Sequence, residues 1–245
     1  IAHAYLFAGS RGTGKTSVAR ILAEAVGVSK NDIYEMDAAS NRGIDEIRAI
    51  REGVNTSPFE SKYKVYIVDE AHMLTKDAFN ALLKTLEEPP AHVIFILATT
   101  EMEKLPETVV SRCQVFKFKK PNQIALKEMA TSVAKKEGFA LEPAAAELIA
   151  LLGDGSFRDA LGMLQKVIGA SSDKKITEKE VAVAAGAPRA ELINEVITAL
   201  NESNVGQGID AVRRAGEENI DMKVFLKLLL AKLRFILLFR HAPEM

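Results

Sequence analysis

The stretch that most constrains this chain is Gly9-Ser10-Arg11-Gly12-Thr13-Gly14-Lys15-Thr16. It lies between the apolar run Ala4-Tyr5-Leu6-Phe7-Ala8 and the helical pattern Ser17-Val18-Ala19-Arg20-Ile21-Leu22-Ala23. A strand that feeds G-x-x-x-x-G-K-[ST] and then a helix is the context in which this motif makes a phosphate-binding loop. Glycines let successive backbone N–H groups converge on phosphate oxygens, and the positive end of the helix dipole points at the same place. Residues 9–17 are therefore the expected nucleotide-binding segment. Lys15 is expected at the β/γ-phosphates and the Thr16 hydroxyl on Mg²⁺. The motif predicts a nucleoside-triphosphate site.

Around this motif, short and nearly all-apolar runs at 4–8, 33–37, 64–68, 93–98 and 115–118 alternate with helical patterns at 14–25, 43–55 and 76–86. Such alternation predicts a parallel sheet with both faces covered. Pro121 marks a change of character. From 122 to 185 only helices are expected, at 123–137, 143–152 and 157–168, and around Pro188 the chain turns into helices with larger apolar faces. The expected organisation is a nucleotide-binding α/β domain at 1–120, a small helical domain at 121–187 and the start of a further helical domain at 188–245.

Composition excludes several alternatives. Lys and Arg total 32 against 33 Asp and Glu, a net charge of −1, so any contact with nucleic acid must be local. A single cysteine, Cys113, rules out a disulfide framework and a multi-cysteine zinc site, and fits a reducing cytosol. Ile1-Ala2-His3 leads straight into a strand, so no signal peptide is read and the cytoplasm is the expected compartment. The apolar stretch 225–239 is interrupted by Lys227, Lys232 and Arg234, which favours a packed amphipathic helix over a membrane span. Without an initial Met, and stopping soon after that helix, the chain is expected to be a fragment.

The second chemical motif is Val65-Tyr66-Ile67-Val68-Asp69-Glu70. A buried strand ending in two acids sets Asp69 beside the phosphate loop, where it can hold Mg²⁺ through water. The adjacent Glu70 can take a proton from the attacking water. The continuation Ala71-His72 spells D-E-A-H, but no other helicase element accompanies it, and His72 is expected simply to start a helix. A third run, 93–100, ends in Thr99-Thr100, where a hydroxyl could reach the γ-phosphate or could merely cap the strand. Arg112 and Arg158 could each neutralise charge on a transferring phosphoryl group, in cis or in trans, or be solvated surface charges. Residue chemistry leaves both readings open.

In order along the chain stand the phosphate loop, D-A-A-S-N, V-D-E-A-H, F-N-A-L-L-K-T-L-E-E-P-P, A-T-T, S-R-C and G-S-F-R-D-A-L. Together these resemble the gamma/tau family of bacterial DNA polymerase III, AAA+ ATPase motors of the sliding-clamp loader. The likeness is continuous over 4–164, and the run 79–90 is especially specific to clamp-loader subunits. It implies an AAA+ phosphate-loop domain, a helical lid and a truncated helical collar. It implies sensor roles for Thr100 and for Arg158, the latter reaching the γ-phosphate from the lid, and an arginine finger at Arg112 that serves the neighbouring subunit's site. It also implies ATP and Mg²⁺ as ligands. The implied partners are other clamp-loader subunits in a ring, a sliding clamp and primer–template DNA, the last touched at phosphates by Asn41, Arg42, Gly43 and Arg48. No polymerase active site and no membrane contact are implied.

The chain departs from that family in the gap between its first helix and second strand. A four-cysteine zinc module usually lies there, whereas only residues 26–32 fill the gap here, so zinc is not expected. This shortening resembles replication factor C small subunits, although D-A-A-S-N and A-T-T look bacterial. Three other readings stand beside the clamp-loader motor: a replication factor C small subunit, another AAA+ DNA-remodelling ATPase, and an ATP-binding scaffold that does not hydrolyse. Intact Lys15, Thr16, Asp69 and Glu70 argue against the scaffold.

Overall fold

The computed structural model describes residues 1–41, 43–171 and 173–241. The chain divides into two compact units, Ile1–Lys120 and Pro121–Met245.

In the first unit the elements run β1 (Ala4–Ala8), α1 (Lys15–Ala25), β2 (Ile33–Asp37), α2 (Ile44–Gly53), β3 (Lys64–Asp69), α3 (Lys76–Glu87), β4 (Val93–Thr99), α4 (Glu107–Val110) and β5 (Gln114–Lys117). All five strands are parallel, in the order β2-β3-β4-β1-β5. Parallel neighbours cannot be joined by a hairpin, which is why a helix follows each strand. Side chains alternate between the two faces. Leu6, Tyr66, Val68, Phe95 and Leu97 pack against Ile47 of α2, Phe79, Leu82 and Leu86 of α3 and Val109 of α4. Tyr5, Phe7, Val65, Ile67, Ile94 and Ile96 pack on the other face against Ala19 and Ala23 of α1. Each large side chain so buried contributes about 1.5–3 kcal/mol. Both faces of the three central strands are dry, so their sequences read as unbroken apolar runs.

The edge strands behave differently. Tyr34 on β2 and Phe116 on β5 are each 44% exposed. Tyr34, Tyr66 and Phe95 stack across β2, β3 and β4, with ring centroids 5.1 and 5.5 Å apart. Two buried charges pin the loop between α2 and β3. The Asp32 carboxylate accepts N–H bonds from Phe59, Glu60 and Ser61 at 2.5, 2.9 and 2.8 Å. The Lys64 ammonium donates to the Gly53 carbonyl and to both oxygens of Thr56, at 2.7 to 3.1 Å.

The second unit contains α5 (Gln123–Lys136), β6 (Ala140–Leu141), α6 (Pro143–Gly153), α7 (Phe157–Ala170), β7 (Lys175–Ile176), α8 (Glu178–Ala185), α9 (Ala190–Asn201), α10 (Val205–Glu217) and α11 (Met222–His241). Leu126, Ile149, Leu164 and Val181 centre the packing of α5 to α8. Leu192, Val196, Ala211, Ala215 and Phe225 centre that of α9 to α11. The expectation of helices alone at 122–185 is corrected here, because β6 and β7 pair in parallel through Ala140 with Lys175 and Leu141 with Ile176. Lys227 on α11 donates to the Leu152 carbonyl at 3.1 Å, giving one of the charges that interrupt the apolar stretch a structural use. Among the described residues, no helix is long and apolar enough to cross a membrane.

Candidate functional site

In a parallel sheet all strands end at one edge, and ligands of such sheets bind beyond those carboxyl ends. The order β3-β4-β1 brings three of the expected motifs to neighbouring positions there: the phosphate loop after β1, Asp69-Glu70 after β3 and Thr99-Thr100 after β4.

The loop's glycines answer specific demands of space and backbone. A Cβ on Gly9 would stand 2.4 Å from the Phe118 carbonyl oxygen, so only glycine lets β1 leave the sheet here. Gly14 precedes α1 at φ 93°, a left-handed conformation that turns the chain into the helix. Lys15 is 6% exposed, and its ammonium donates to the carbonyls of Gly9 at 2.8 Å and Ser10 at 3.1 Å. The buried Thr13 hydroxyl donates to the Ser10 carbonyl at 2.8 Å. The Ser10 hydroxyl is buried with no hydrogen-bond partner. Arg11 and Ser17 are exposed, and Gly12 lies at positive φ. A loop with a buried ammonium, an orphaned hydroxyl and a helix N-terminus fits a polyphosphate.

The Thr16 hydroxyl donates to the Asp69 carboxylate at 2.6 Å, across 53 residues of sequence. The other Asp69 oxygen accepts the Glu70 N–H at 2.9 Å. A hydroxyl beside a carboxylate is an oxygen donor set suited to a hard cation such as Mg²⁺. Glu70 adopts φ 47°, uncommon outside glycine, and its carboxylate accepts the Thr100 hydroxyl at 3.0 Å. The side chain of His72, in the short turn 71–73, is 6% exposed, and its Nδ1 lies 3.0 Å from the Thr99 hydroxyl. Its Nε2 lies 3.2 Å from the Glu101 carboxylate. Glu101 also pairs with Lys104 at 2.7 Å, and the Lys104 hydrogen bond is the main cause holding its carboxyl below the usual range. Sequence reasoning read His72 only as the start of a helix; it lies in the short turn 71–73. Glu101 was not singled out, and the signal available was the His three positions after Asp69.

Arg112 follows α4. It donates to the Thr108 carbonyl and to the Glu87 carboxylate, each at 2.7 Å; Glu87 is a further residue that the sequence reading did not single out. Burial pushes the neighbouring Cys113 thiol up to about 11, which leaves it an unreactive, protonated side chain. Arg158 is exposed in the first turn of α7, whose N-cap is Ser156, in the second unit. Asn41 closes a turn by donating its side-chain N–H to the Asp37 carbonyl at 3.1 Å. Gly43 caps α2, and the exposed Arg48 pairs with Asp45 at 3.0 Å. Arg42, the remaining candidate DNA contact, lies outside the described residues. Among the described residues, no group of three or more His, Cys, Asp or Glu side chains could hold a metal ion.

Solved structures similar to this chain include the Thermotoga maritima RuvB Holliday junction branch migration motor. It matches with a TM-score of 0.63 at 22% identity, covering 83% of this chain and 70% of that one. Its R170A variant matches with a TM-score of 0.62 at 21% identity over the same shares. The chain thus shares with that motor a parallel-sheet α/β fold, here with five strands and a phosphate loop after β1. Among curated proteins, Bacillus subtilis DNA polymerase III subunit tau is 40% identical over 98% of this chain and 46% of its own length. The Escherichia coli subunit tau is 36% identical over 99% of this chain and 41% of its own. Mycoplasma genitalium subunit gamma/tau is 43% identical over 72% of this chain and 33% of its own. A family model described as "DNA polymerase III, delta subunit" matches residues 28–122. The chain is related over nearly its whole length to DNA polymerase III subunits tau. It spans less than half the length of these curated relatives.

Proposed function

We propose that the chain is the ATP-binding and ATP-hydrolysing motor part of a DNA sliding-clamp loader subunit, acting in the cytoplasm. The observation that carries this reading is the contact between Thr16 of the phosphate loop and Asp69 at the end of β3. It sets the two motifs expected to handle a nucleotide side by side, in a chain related to subunits tau and gamma/tau.

In the proposed mechanism, Lys15 and the backbone N–H groups of residues 9–17 bind the triphosphate. Binding turns the Lys15 ammonium from the carbonyls of Gly9 and Ser10 to phosphate oxygens. Thr16 and Asp69 would hold Mg²⁺, which would supply charge to offset that of the phosphates. Glu70 accepts the proton of the attacking water, and the Thr100 hydroxyl fixes the direction of that carboxylate. Arg158, on the helical lid assigned to 121–187, is the proposed partner of the γ-phosphate. Arg112 acts on the site of a neighbouring subunit, in a ring joined through the collar that starts at 188. A nucleotide held by three such parts favours the one ring geometry that satisfies them all, and only such differential binding can shift an equilibrium. That geometry would open a sliding clamp and grip primer–template DNA through phosphates, with Asn41, Arg42, Gly43 and Arg48 as the contacts. Hydrolysis releases both.

Lys15→Ala tests the reading. It removes the ammonium yet leaves the loop glycines, so calorimetry should show weakened ATP binding and the assembled loader should lose hydrolysis. Unchanged ATP affinity in the variant would overturn the assignment.

A further inference from the structure

His72 is a buried imidazole that the proposed mechanism does not use. It leaves the β3 end two residues after Glu70, yet both of its ring nitrogens face groups on the β4 end. Nε2 lies 3.2 Å from a Glu101 carboxylate oxygen, and Nδ1 lies 3.0 Å from the hydroxyl of Thr99, which is fully buried. A carboxylate can only accept, and Glu101 lies nearer Nε2, at 3.2 Å, than Glu70 lies to Nδ1, at 3.5 Å, so the neutral ring carries its proton on Nε2. Nδ1 is then an acceptor and takes the Thr99 hydroxyl proton. The Thr99 oxygen in turn accepts the Glu101 N–H at 3.1 Å. With the proton on Nδ1 instead, the Nε2 lone pair would face the carboxylate and the Thr99 proton would lose its acceptor. The network therefore selects one tautomer.

The charged groups around the ring are Glu101, which Lys104 holds in turn, and Glu70, whose nearer carboxylate oxygen lies 3.5 Å from Nδ1. That oxygen is the one that accepts from Thr100 at 3.0 Å. Glu70 itself is held at φ 47°, a conformation that persists only when its surroundings impose it. The Met73 N–H bond to the Glu70 carbonyl, at 2.8 Å, closes the turn that contains His72 and so ties the ring to that backbone.

We propose that His72 is a positioning residue, clamping the β3 end to the β4 end so that the Glu70 carboxylate is set against the Thr100 hydroxyl. Its effect on turnover rests on the reading of Glu70 as the base; the clamp itself does not.

Two measurements separate these claims. The first is nitrogen-15 NMR of the intact histidine-labelled protein at slightly alkaline pH, with the His72 signal assigned by its loss in His72→Ala. It should show the Nε2–H tautomer alone; the Nδ1–H form or a mixture overturns the clamp whatever the kinetics. The second is hydrolysis by the assembled complex. His72→Ala should lower kcat by roughly a hundredfold, the scale of a misplaced reacting group, with ATP affinity unchanged. His72→Asn, which keeps an acceptor for Thr99, should recover most of that loss. In a Glu70→Gln background His72→Ala should cost nothing further, because both act through one carboxylate. Wild-type kcat in His72→Ala, equal losses in Ala and Asn, or a matching fall in ATP affinity would each overturn the positioning role. If Glu70→Gln itself turns over like the wild type, the base assignment fails, and the tautomer decides the clamp alone.

Discussion

Glu70 shows how one side chain can combine an unusual backbone with a fixed carboxylate. Its φ of 47° turns the chain sharply after β3, and its carboxylate then meets the Thr100 hydroxyl instead of open solvent. If Glu70 accepts the proton of the attacking water, Glu70→Gln keeps the shape and the hydrogen bond from Thr100 but removes the basic oxygen. ATP should then bind as before, while single-turnover hydrolysis falls by roughly a hundredfold or more. Near-wild-type turnover would show that the base lies elsewhere. That Gly9, Gly14, Lys15, Thr16 and Asp69 come together was legible in the sequence, because the loop and the apolar strand ending at Asp69 are each local patterns. His72 was not legible. Its partners Thr99 and Glu101 lie on another strand end, 27 and 29 positions away in number, and no local pattern announces such a contact. Glu87, which holds Arg112 across 25 residues, escaped for the same reason.

At the level of elements, the three central strands were readable because both of their faces are buried, which writes an unbroken apolar run into the sequence. The pair β6 and β7 was not, since two residues per strand are too few to show any period. Nor does local sequence reveal that Asp32 fastens the loop after α2. Burial alone would raise the Asp32 carboxyl, but the N–H bonds from Glu60, Phe59 and Ser61 outweigh it and leave the group below its ordinary value of 3.8. The carboxylate form is therefore the one the fold prefers. Its contribution is complete above pH ~4, the unfolded-state value, and is lost as pH falls through the lower folded-state value. Asp32→Ala should destabilise the protein by about 1–3 kcal/mol at neutral pH, the cost of leaving such donors unpaired. Denaturant unfolding of the variant and the wild type should differ at neutral pH and converge in acid. A difference that persists unchanged in acid would mean that Asp32 acts by packing and not through its charge.

For the whole molecule, the question is whether the site is complete within one chain. Arg112 already has partners on its own unit: it donates to Thr108 and to the Glu87 carboxylate, and both bonds fix its guanidinium at the end of α4. A guanidinium has five N–H donors, so two such bonds orient it and leave others for an anion. That arrangement suits a finger presented to a neighbouring subunit, which we propose for this chain. Arg112→Ala should then leave the ATP affinity of the isolated chain nearly unchanged. Hydrolysis in the assembled ring should fall by roughly a thousandfold at the affected sites, the scale at which an arginine supplied in trans acts on phosphoryl transfer. Rings mixed from Arg112→Ala and Glu70→Gln subunits sharpen the test. An interface that joins an intact Glu70 site to an intact Arg112 finger should stay active, and an interface lacking either should not. Loss of ATP binding in the isolated Arg112→Ala chain, or full activity in its assembly, would return Arg112 to the role of a local partner for Glu87.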